Sequence, residues 1–418
     1  MRKKHFLFAS VLALLCSSST LHAQDFKLTS SGYFKNQGVD VMAFDDIYPE
    51  GHQGGVCIIM NGHRVATNGD IRLEATPGQW QPVPKQLDRK LGDNSITATL
   101  CYPDSSRHLT GFNPMIYPDL HLIYTVNVES KGKNIEVTVD LDRPIPQEFI
   151  GKVGFNLEFF PGSLFGKPWI MDGQSGIFPQ QPNSPLMTTQ PNYLHTGNYH
   201  DGKKSLADMD KLIGKGYSPI VADDIISEPY AKGTKFTSRP DDPYNKVTIE
   251  SLSGDLQLFD GRMNHNNGWF VLRSNIKPGV TKGAVKWIIT PNVVADWMYQ
   301  PVIQTSQIGY HPAQDKEAVI EMDIRDNRKE TAQIIRIDAD GEKVVKNVTP
   351  ANWGKFLRYN YLKVNFTDVK EPGLYKIKYN TSVSPIFRID NDVYARGVWQ
   401  PVLEYFLPVQ MCHMRVNE

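Results

Sequence analysis

The chain has 418 residues, with 45 Lys+Arg against 45 Asp+Glu, 22% charged and 40% hydrophobic. That composition belongs to a globular chain rather than a disordered one, and the length suits two or three domains. The balanced charge offers no basic excess or stripe for a nucleic-acid backbone; a neutral polysaccharide is compatible with it.

The N-terminus opens with Arg2, Lys3 and Lys4, continues through an apolar run from Phe6 to Leu15, and places Leu21-His22-Ala23 before Gln24. This is the layout of a secretory signal peptide over residues 1–23, cleaved after Ala23, which implies a secreted or periplasmic protein. Cys16 raises lipoprotein anchoring as a rival, but Leu15 stands where a lipoprotein signal wants a small residue. No later segment has ~20 continuous apolar residues, so no membrane span is expected. The mature chain keeps Cys57, Cys101 and Cys412. Export permits disulfides, and Cys57 and Cys101, each in a strand-like run, are the candidate pair; buried thiols are the alternative. No Cys-x-x-Cys occurs, so no structural zinc is expected, and no motif calls for another metal or a cofactor.

Residues 24–300 read as a large antiparallel β-sandwich. Val56 to Met60, Asn61-Gly62 and His63 to Ala66 form a hairpin signal, since Asn-Gly supplies two positive φ angles. Leu120, Leu122, Tyr124, Val126 and Val128 alternate with polar residues, and the alternation resumes at Ile135, Val137, Val139 and Leu141. Period two around a glycine-containing turn is a second hairpin with one buried face. Val247 to Leu258 and Gly283 to Ile289 look similar. Phe159 to Tyr199 carries six prolines, which exclude a helix, and reads as a long loop of the functional kind. Ser205 to Ile213 is a candidate short helix.

Pro291 to Gln304 links to a second unit over 301–390, with short strands and close turns: 318–322, 334–337, 343–345, 362–366 and 373–379. This spacing predicts an immunoglobulin-like sandwich. From 391 the period changes. Asp392 is a candidate N-cap for a helix from Val393, with Val398, Val402, Tyr405, Phe406, Val409 and Cys412 at three- and four-residue spacing. Without a visible partner, that helix reads as the start of a further domain.

The second unit resembles the immunoglobulin-like domain that precedes the catalytic domain of many family 9 glycoside hydrolases, mostly cellulases. The resemblance is carried by Ile303-Gln-Thr-Ser-Gln-Ile-Gly-Tyr-His-Pro312, Asp338-Ala-Asp-Gly341, Glu371-Pro-Gly-Leu-Tyr375 and Ser384-Pro-Ile-Phe-Arg-Ile-Asp-Asn-Asp-Val-Tyr-Ala395. Tyr405-Phe406 looks like part of the first helix of the family's α/α toroid, so 391–418 is expected to be that helix of a truncated catalytic domain. The resemblance implies a mainly β, non-catalytic portion of a secreted endoglucanase-type enzyme. Its partners would be a β-glucan and the missing catalytic domain. Hydrolysis needs two carboxyl groups across the scissile bond. The family holds them in the toroid, so no catalytic residue is assigned here and the chain alone is expected to be inactive. Asp338-Ala-Asp-Gly341 has the wrong order for the family's catalytic Asp-Ala-Gly-Asp and reads as a turn. Gly309 and Gly373 read as turn glycines, and Tyr310 and Tyr375 as core aromatics.

Residues 24–300 look only loosely like the β-rich modules of some bacterial members. Two segments there concentrate chemistry: Phe165 to Gly173 and Asp260 to Trp269. Trp169 and Trp269 offer faces for sugar rings, while Asp172, Asp260, Arg262, His265 and Asn266 offer hydrogen bonds to hydroxyls. The competing reading makes the tryptophans loop anchors and the polar residues turn caps. Two rivals differ in class. In one, the chain is a carbohydrate-binding or structural spacer. In the other, the large sandwich is itself a carbohydrate-active enzyme, a lyase or epimerase, with His265, Asp260, Asp172 and Glu158 as acid–base candidates.

Overall fold

A computed structural model describes residues 25–45, 54–74, 76–77, 84–102, 120–182, 186–188, 225–263, 268–395 and 397–413. The expected signal peptide and the Ser205 to Ile213 helix lie outside them. The chain divides into two compact units, Met1–Trp297 and Met298–Glu418.

The first unit is built of β1 (Lys27–Leu28), β2 (Phe34–Asn36), β3 (Val39–Ala43), β4 (Val56–Met60), β5 (His63–Leu73), β6 (Lys85–Leu91), β7 (Ser95–Tyr102), β8 (Leu122–Lys131), β9 (Asn134–Leu141) and β10 (Val153–Phe159). It continues with β11 (Pro168–Met171), β12 (Gln174–Ile177), β13 (Leu186–Thr188), β14 (Ile225–Ser227), β15 (Ala231–Gly233), β16 (Lys235–Ser238), β17 (Val247–Ser251), β18 (Leu256–Asp260), β19 (Phe270–Asn275) and β20 (Val285–Pro291). Two nine-stranded sheets result, ordered β1-β2-β3-β4-β5-β10-β19-β18-β15 and β12-β11-β16-β17-β20-β9-β8-β7-β6; β13 pairs with β14.

The β4–β5 hairpin turns at Asn61 (φ 52°) and Gly62 (φ 84°), the left-handed pair that matches strand twist. Strict alternation puts Ile96, Ala98, Leu100 and Tyr102 of β7 and Tyr124, Val126 and Val128 of β8 into one core. Across it, β10 contributes Val153, Phe155, Leu157 and Phe159, with Phe155 edge-on to Trp287 at 5.0 Å. A truncation such as Phe155→Ala there costs ~3–5 kcal/mol. Every residue of β10 is buried, so the intervening Gly154, Asn156 and Glu158 are covered too. The centre of the first sheet is therefore closed on both faces.

Three expectations change. The stretch after Phe159 is not one long loop: it contains the β11–β12 hairpin, whose β11 edge pairs with β16. Among its described residues there is no α-helix, only a single 3-10 turn at Pro161–Ser163, and Pro168 is tolerated as the first residue of a strand. Val247 to Leu258 is not a hairpin. Residues 252–255 separate β17 from β18, and the two strands belong to different sheets. No disulfide joins Cys57 and Cys101. Cys57 is buried on β4 in the first sheet, whereas Cys101 on β7 of the second alternates out of its core face.

The second unit contains β21 (Val302–Gln304), β22 (Glu317–Asp323), β23 (Ala332–Asp338), β24 (Gly341–Val348), β25 (Ala351–Phe356), β26 (Tyr359–Asn365), β27 (Gly373–Tyr379), β28 (Ser382–Val383) and β29 (Phe387–Ile389). One sheet runs β21-β22-β26-β25; the other runs β24-β23-β27-β28, with β29 also on β27. Tyr310 sits in the core between Phe366 (5.1 Å) and Phe387 (5.3 Å), and its hydroxyl donates to the Glu317 carbonyl at 3.0 Å. Tyr375 is likewise buried, with its hydroxyl on the Glu371 carbonyl at 2.8 Å. Gly309 has φ 103°, and a Cβ there would stand 2.2 Å from the Arg388 carbonyl oxygen. Asp338 to Gly341 is the tip of the β23–β24 hairpin.

Helix α1 spans Gln400–His413. It starts later than Val393 because residues 391–395 form turns and Gly397 has φ 76°, outside the helical region. Asp392 does not cap it; its carboxylate pairs with Arg388 at 3.0 Å. The 14 described residues make a helix of ~21 Å. Among the described residues no helix is long and apolar enough to cross a membrane.

Candidate functional site

The two chemically dense segments of the first unit do meet, through Arg262. Its Nε and Nη2 donate to Asp260 Oδ1 (2.8 Å) and Oδ2 (2.9 Å), a bidentate pair on a carboxylate that is 0% exposed. The remaining guanidinium N–H groups reach the carbonyls of Pro179 (2.9 Å) and Gln180 (2.8 Å). Its cation lies over the rings of Phe270 (4.5 Å) and Phe165 (5.1 Å). Tyr230 adds a hydroxyl to Asp260 Oδ2 at 2.9 Å. Arg262 thus ties the segment after β18 to the one around β11 and β12, with its donors used internally.

The other members of this set are placed as follows. Trp169 on β11 is 6% exposed, packed in the core and lying against Gly176, whose Cβ would come within 2.4 Å of its ring. Trp269 is half-buried, edge-on to Phe160 at 4.4 Å. Asp172, at φ 49°, accepts the backbone N–H groups of Thr234 (2.8 Å) and Lys235 (3.1 Å), the arrangement of a turn tie. His265 and Asn266 lie outside the described residues. Glu158 stands apart from Asp260 and Asp172: it accepts from Asn68 Nδ2 at 2.6 Å within a separate cluster. Among the described residues no group of three or more His, Cys, Asp or Glu is placed to hold a metal ion.

That separate cluster is buried on β5, β10 and β19. Register aligns Asp70, Asn156 and Arg273 in one row across the three strands. Arg273, 1% exposed, donates to Glu74 Oε1 (3.2 Å), Asn156 Oδ1 (3.0 Å), Asn275 Oδ1 (2.7 Å) and the carbonyls of Glu74 and Lys152. Asn156 Nδ2 donates to Glu74 Oε1 at 2.6 Å. Burial pushes the Glu74 carboxyl up to about 7 against the pull of Arg273, and pushes Asp70 up to about 6 against the pull of Arg72. Burial also works against the Arg72 charge, but Glu158 and Asp70 more than offset it.

An exposed aromatic face lies on the second unit. Strand register sets Tyr361 beside Glu321, and Tyr359 between Asp323 and Phe356. Ring centroids run Trp353–Tyr361 5.6 Å, Tyr361–Tyr359 6.1 Å and Tyr359–Tyr299 5.1 Å. Trp353 and Phe356 are 56% and 57% exposed. The hydroxyls of Tyr299 and Tyr361 donate to the two oxygens of Glu321 at 3.0 and 3.1 Å. Sequence reasoning missed both features. Tyr359-Asn-Tyr361 was a legible period-two signal for this face, whereas Asp70-Ile-Arg-Leu-Glu74 has the pattern of an ordinary solvent-facing strand.

Residues 298–384 match the family described as the cellulase N-terminal ig-like domain. Among solved structures, a metagenome-derived glycoside hydrolase family 9 endoglucanase is similar at 30% identity, over 22% of this chain and 18% of that one, with a TM-score of 0.20. A single-mutant thermostable endoglucanase from Alicyclobacillus acidocaldarius is similar at 20% identity, over 26% and 17%, with a TM-score of 0.20. The Slr1438 protein of Synechocystis sp. PCC 6803 is similar at 9% identity over 70% of this chain and 100% of that one, with a TM-score of 0.30. No curated protein matches. The chain spans less than a fifth of either endoglucanase, at 18% and 17%. The second unit is an immunoglobulin-like domain. More narrowly, its residues 298–384 are similar to the cellulase N-terminal ig-like domain.

Proposed function

We propose that this chain is the non-catalytic N-terminal portion of a secreted family 9 glycoside hydrolase acting on β-glucan. The observation that carries the reading is the family match over 298–384. Export by a signal peptide cleaved after Ala23 agrees with it. The apolar face of α1 supports it further: Trp399, Val402, Leu403, Tyr405 and Phe406 are 52–70% exposed, and a contiguous patch of that kind marks an interaction surface. In this reading α1 packs against the helical catalytic domain. Glycan contact falls on the half-buried ring of Trp269 in the first unit and on the exposed Trp353 face in the second. Arg262 and Asp260 hold the Trp269 segment in place, while Trp169 anchors β11 in the core.

The test is a fusion. A family 9 helical domain with an Asp-Ala-Gly-Asp motif, joined after α1, should release reducing sugar from amorphous cellulose and should protect α1 amides from hydrogen exchange. A fusion whose α1 exchanges as fast as in the chain alone would overturn the docking role.

A further inference from the structure

We propose that the aromatic face of the second unit, where Trp353, Tyr361, Tyr359 and Tyr299 lie together, binds a single, conformationally free β-glucan chain and not the flat face of crystalline cellulose. The inference rests on the glycan contact proposed above for that face and adds the physical state of the glycan it takes.

The face is built by two neighbouring strands. On β26, Tyr359, Tyr361 and Lys363 alternate with buried Asn360, Leu362 and Val364, so the three share the side away from the core. On β25 the ladder pairs Asn352 with Leu362 and Gly354 with Tyr361, which makes Trp353 the extra residue of a β-bulge. Bulges re-aim a side chain, and this one leaves the indole 56% exposed and edge-on to Tyr361. Gly354, at φ 124°, supplies the backbone conformation that follows the bulge and favours glycine. Tyr299 joins from the segment before β21. Its N–H donates to Asp323 Oδ2 at 3.0 Å, which lays its ring against Tyr359.

The carboxylates beneath the rings are already engaged. Glu321 accepts the hydroxyls of Tyr299 and Tyr361, Asp323 accepts Arg325 Nε and Nη2 at 2.8 Å each, and Glu317 accepts Lys363 Nζ at 2.8 Å. A cationic partner therefore finds no free carboxylate there. What the face presents is ring surface, together with the acceptor lone pairs of two oriented phenol oxygens. Apolar walls with a few placed polar groups suit the C–H faces and hydroxyls of an uncharged sugar chain.

Ring orientation selects between the two states of such a chain. The planes of Trp353 and Tyr361 meet at 88°, those of Tyr361 and Tyr359 at 67°, and those of Tyr359 and Tyr299 at 54°. No two neighbours are coplanar, so they cannot lie flat together on a rigid crystal face. A free chain can turn about its glycosidic bonds and meet each ring in its own plane. The hydroxyl contacts to Glu321 hold Tyr299 and Tyr361 in these orientations, so the arrangement is set before the glycan arrives.

The test is depletion binding of the exported full chain on phosphoric-acid-swollen and on microcrystalline cellulose, with Trp353→Ala, Trp353→Tyr and Trp269→Ala alongside. Swollen cellulose should bind the chain saturably, and microcrystalline cellulose of equal accessible surface should bind little or none. Trp353→Ala should weaken binding to swollen cellulose about tenfold, the scale of one aromatic contact, and Trp353→Tyr should restore most of it. Equal binding to both celluloses, lost on both in Trp353→Ala, would leave the glycan contact standing and contradict the preference for a free chain. Binding lost in Trp269→Ala but unchanged in Trp353→Ala would place the glycan on the first unit and overturn the assignment to this face. No binding to either cellulose would sink the glycan reading itself, and this inference with it. Self-association abolished by Trp353→Ala would make the face an interface between copies of the chain and likewise refute the site.

Discussion

Glu74 and Arg273, 199 positions apart in sequence, form an ion pair of 3.2 Å with side-chain exposures of 0% and 1%. A pair this deep gives little net stability, but removing one partner strands the other charge, at ~3–5 kcal/mol. Arg273→Met should therefore lower the unfolding free energy of the first unit by about that amount in a denaturant titration. The Arg273→Met, Glu74→Gln double variant should recover part of the loss. A change under ~1 kcal/mol for Arg273→Met would mean that water reaches the cluster.

The same burial gives a pH signature. Glu74 rises from 4.5 to about 7 on folding, so the folded state holds its proton more tightly than the unfolded state. That contribution is fully present below about 4.5 and is lost as pH rises through about 7. Asp70, raised from 3.8 to about 6, acts in the same direction. The Glu74 term is on the order of 3 kcal/mol. Melting curves between pH 5 and 8 should show stability falling with pH, and Glu74→Gln should flatten the slope. An unchanged slope would remove Glu74 from the account.

Gly309 offers a test of the second unit alone. With φ 103° and the Arg388 carbonyl 2.2 Å from a built Cβ, it has no room for a side chain. Gly309→Ala should destabilise this unit by ~1–3 kcal/mol through left-handed strain and loss of the Tyr310–Arg388 contact. Melting of the second unit should fall while the first is untouched. A silent substitution would show that the β29 segment yields easily.

Glycan contact separates exposed from buried tryptophans. Trp353→Ala and Trp269→Ala should each reduce retardation in affinity electrophoresis against soluble β-glucan while leaving the melting temperature near wild type. Trp169→Ala, at 6% exposure, should instead cost ~3–5 kcal/mol of stability. Equal retardation of wild type and a Trp269→Ala, Trp353→Ala double variant would exclude both rings as contacts.

Local signals made much of the fold legible. Asn61-Gly62 marked a hairpin, and the alternation of Leu122 to Leu141 marked a strand pair facing one core. The motif Gln-x-Gly-Tyr pointed to the second unit, because Gly309 and Tyr310 are fixed by local sterics and one aromatic cluster. What stayed hidden depends on long-range pairing. Asp70, Arg72 and Glu74 read as a solvent face, since nothing in the sequence says that β5 lies at the middle of a sheet covered on both sides. Trp169 and Trp269 look alike in sequence, yet Gly176 lets the first sink into the core while the second remains half-exposed.

The central claim, an accessory portion without hydrolytic activity of its own, is tested most directly by reducing-sugar release from amorphous cellulose by the purified 24–418 chain. Hydrolysis needs two carboxyl groups held ~6.5–9.5 Å apart across the bond for inversion, and the account assigns those to a helical domain beyond α1. It predicts release no greater than from a mock purification. Turnover above that background, abolished by substituting a carboxylate within these residues, would contradict it.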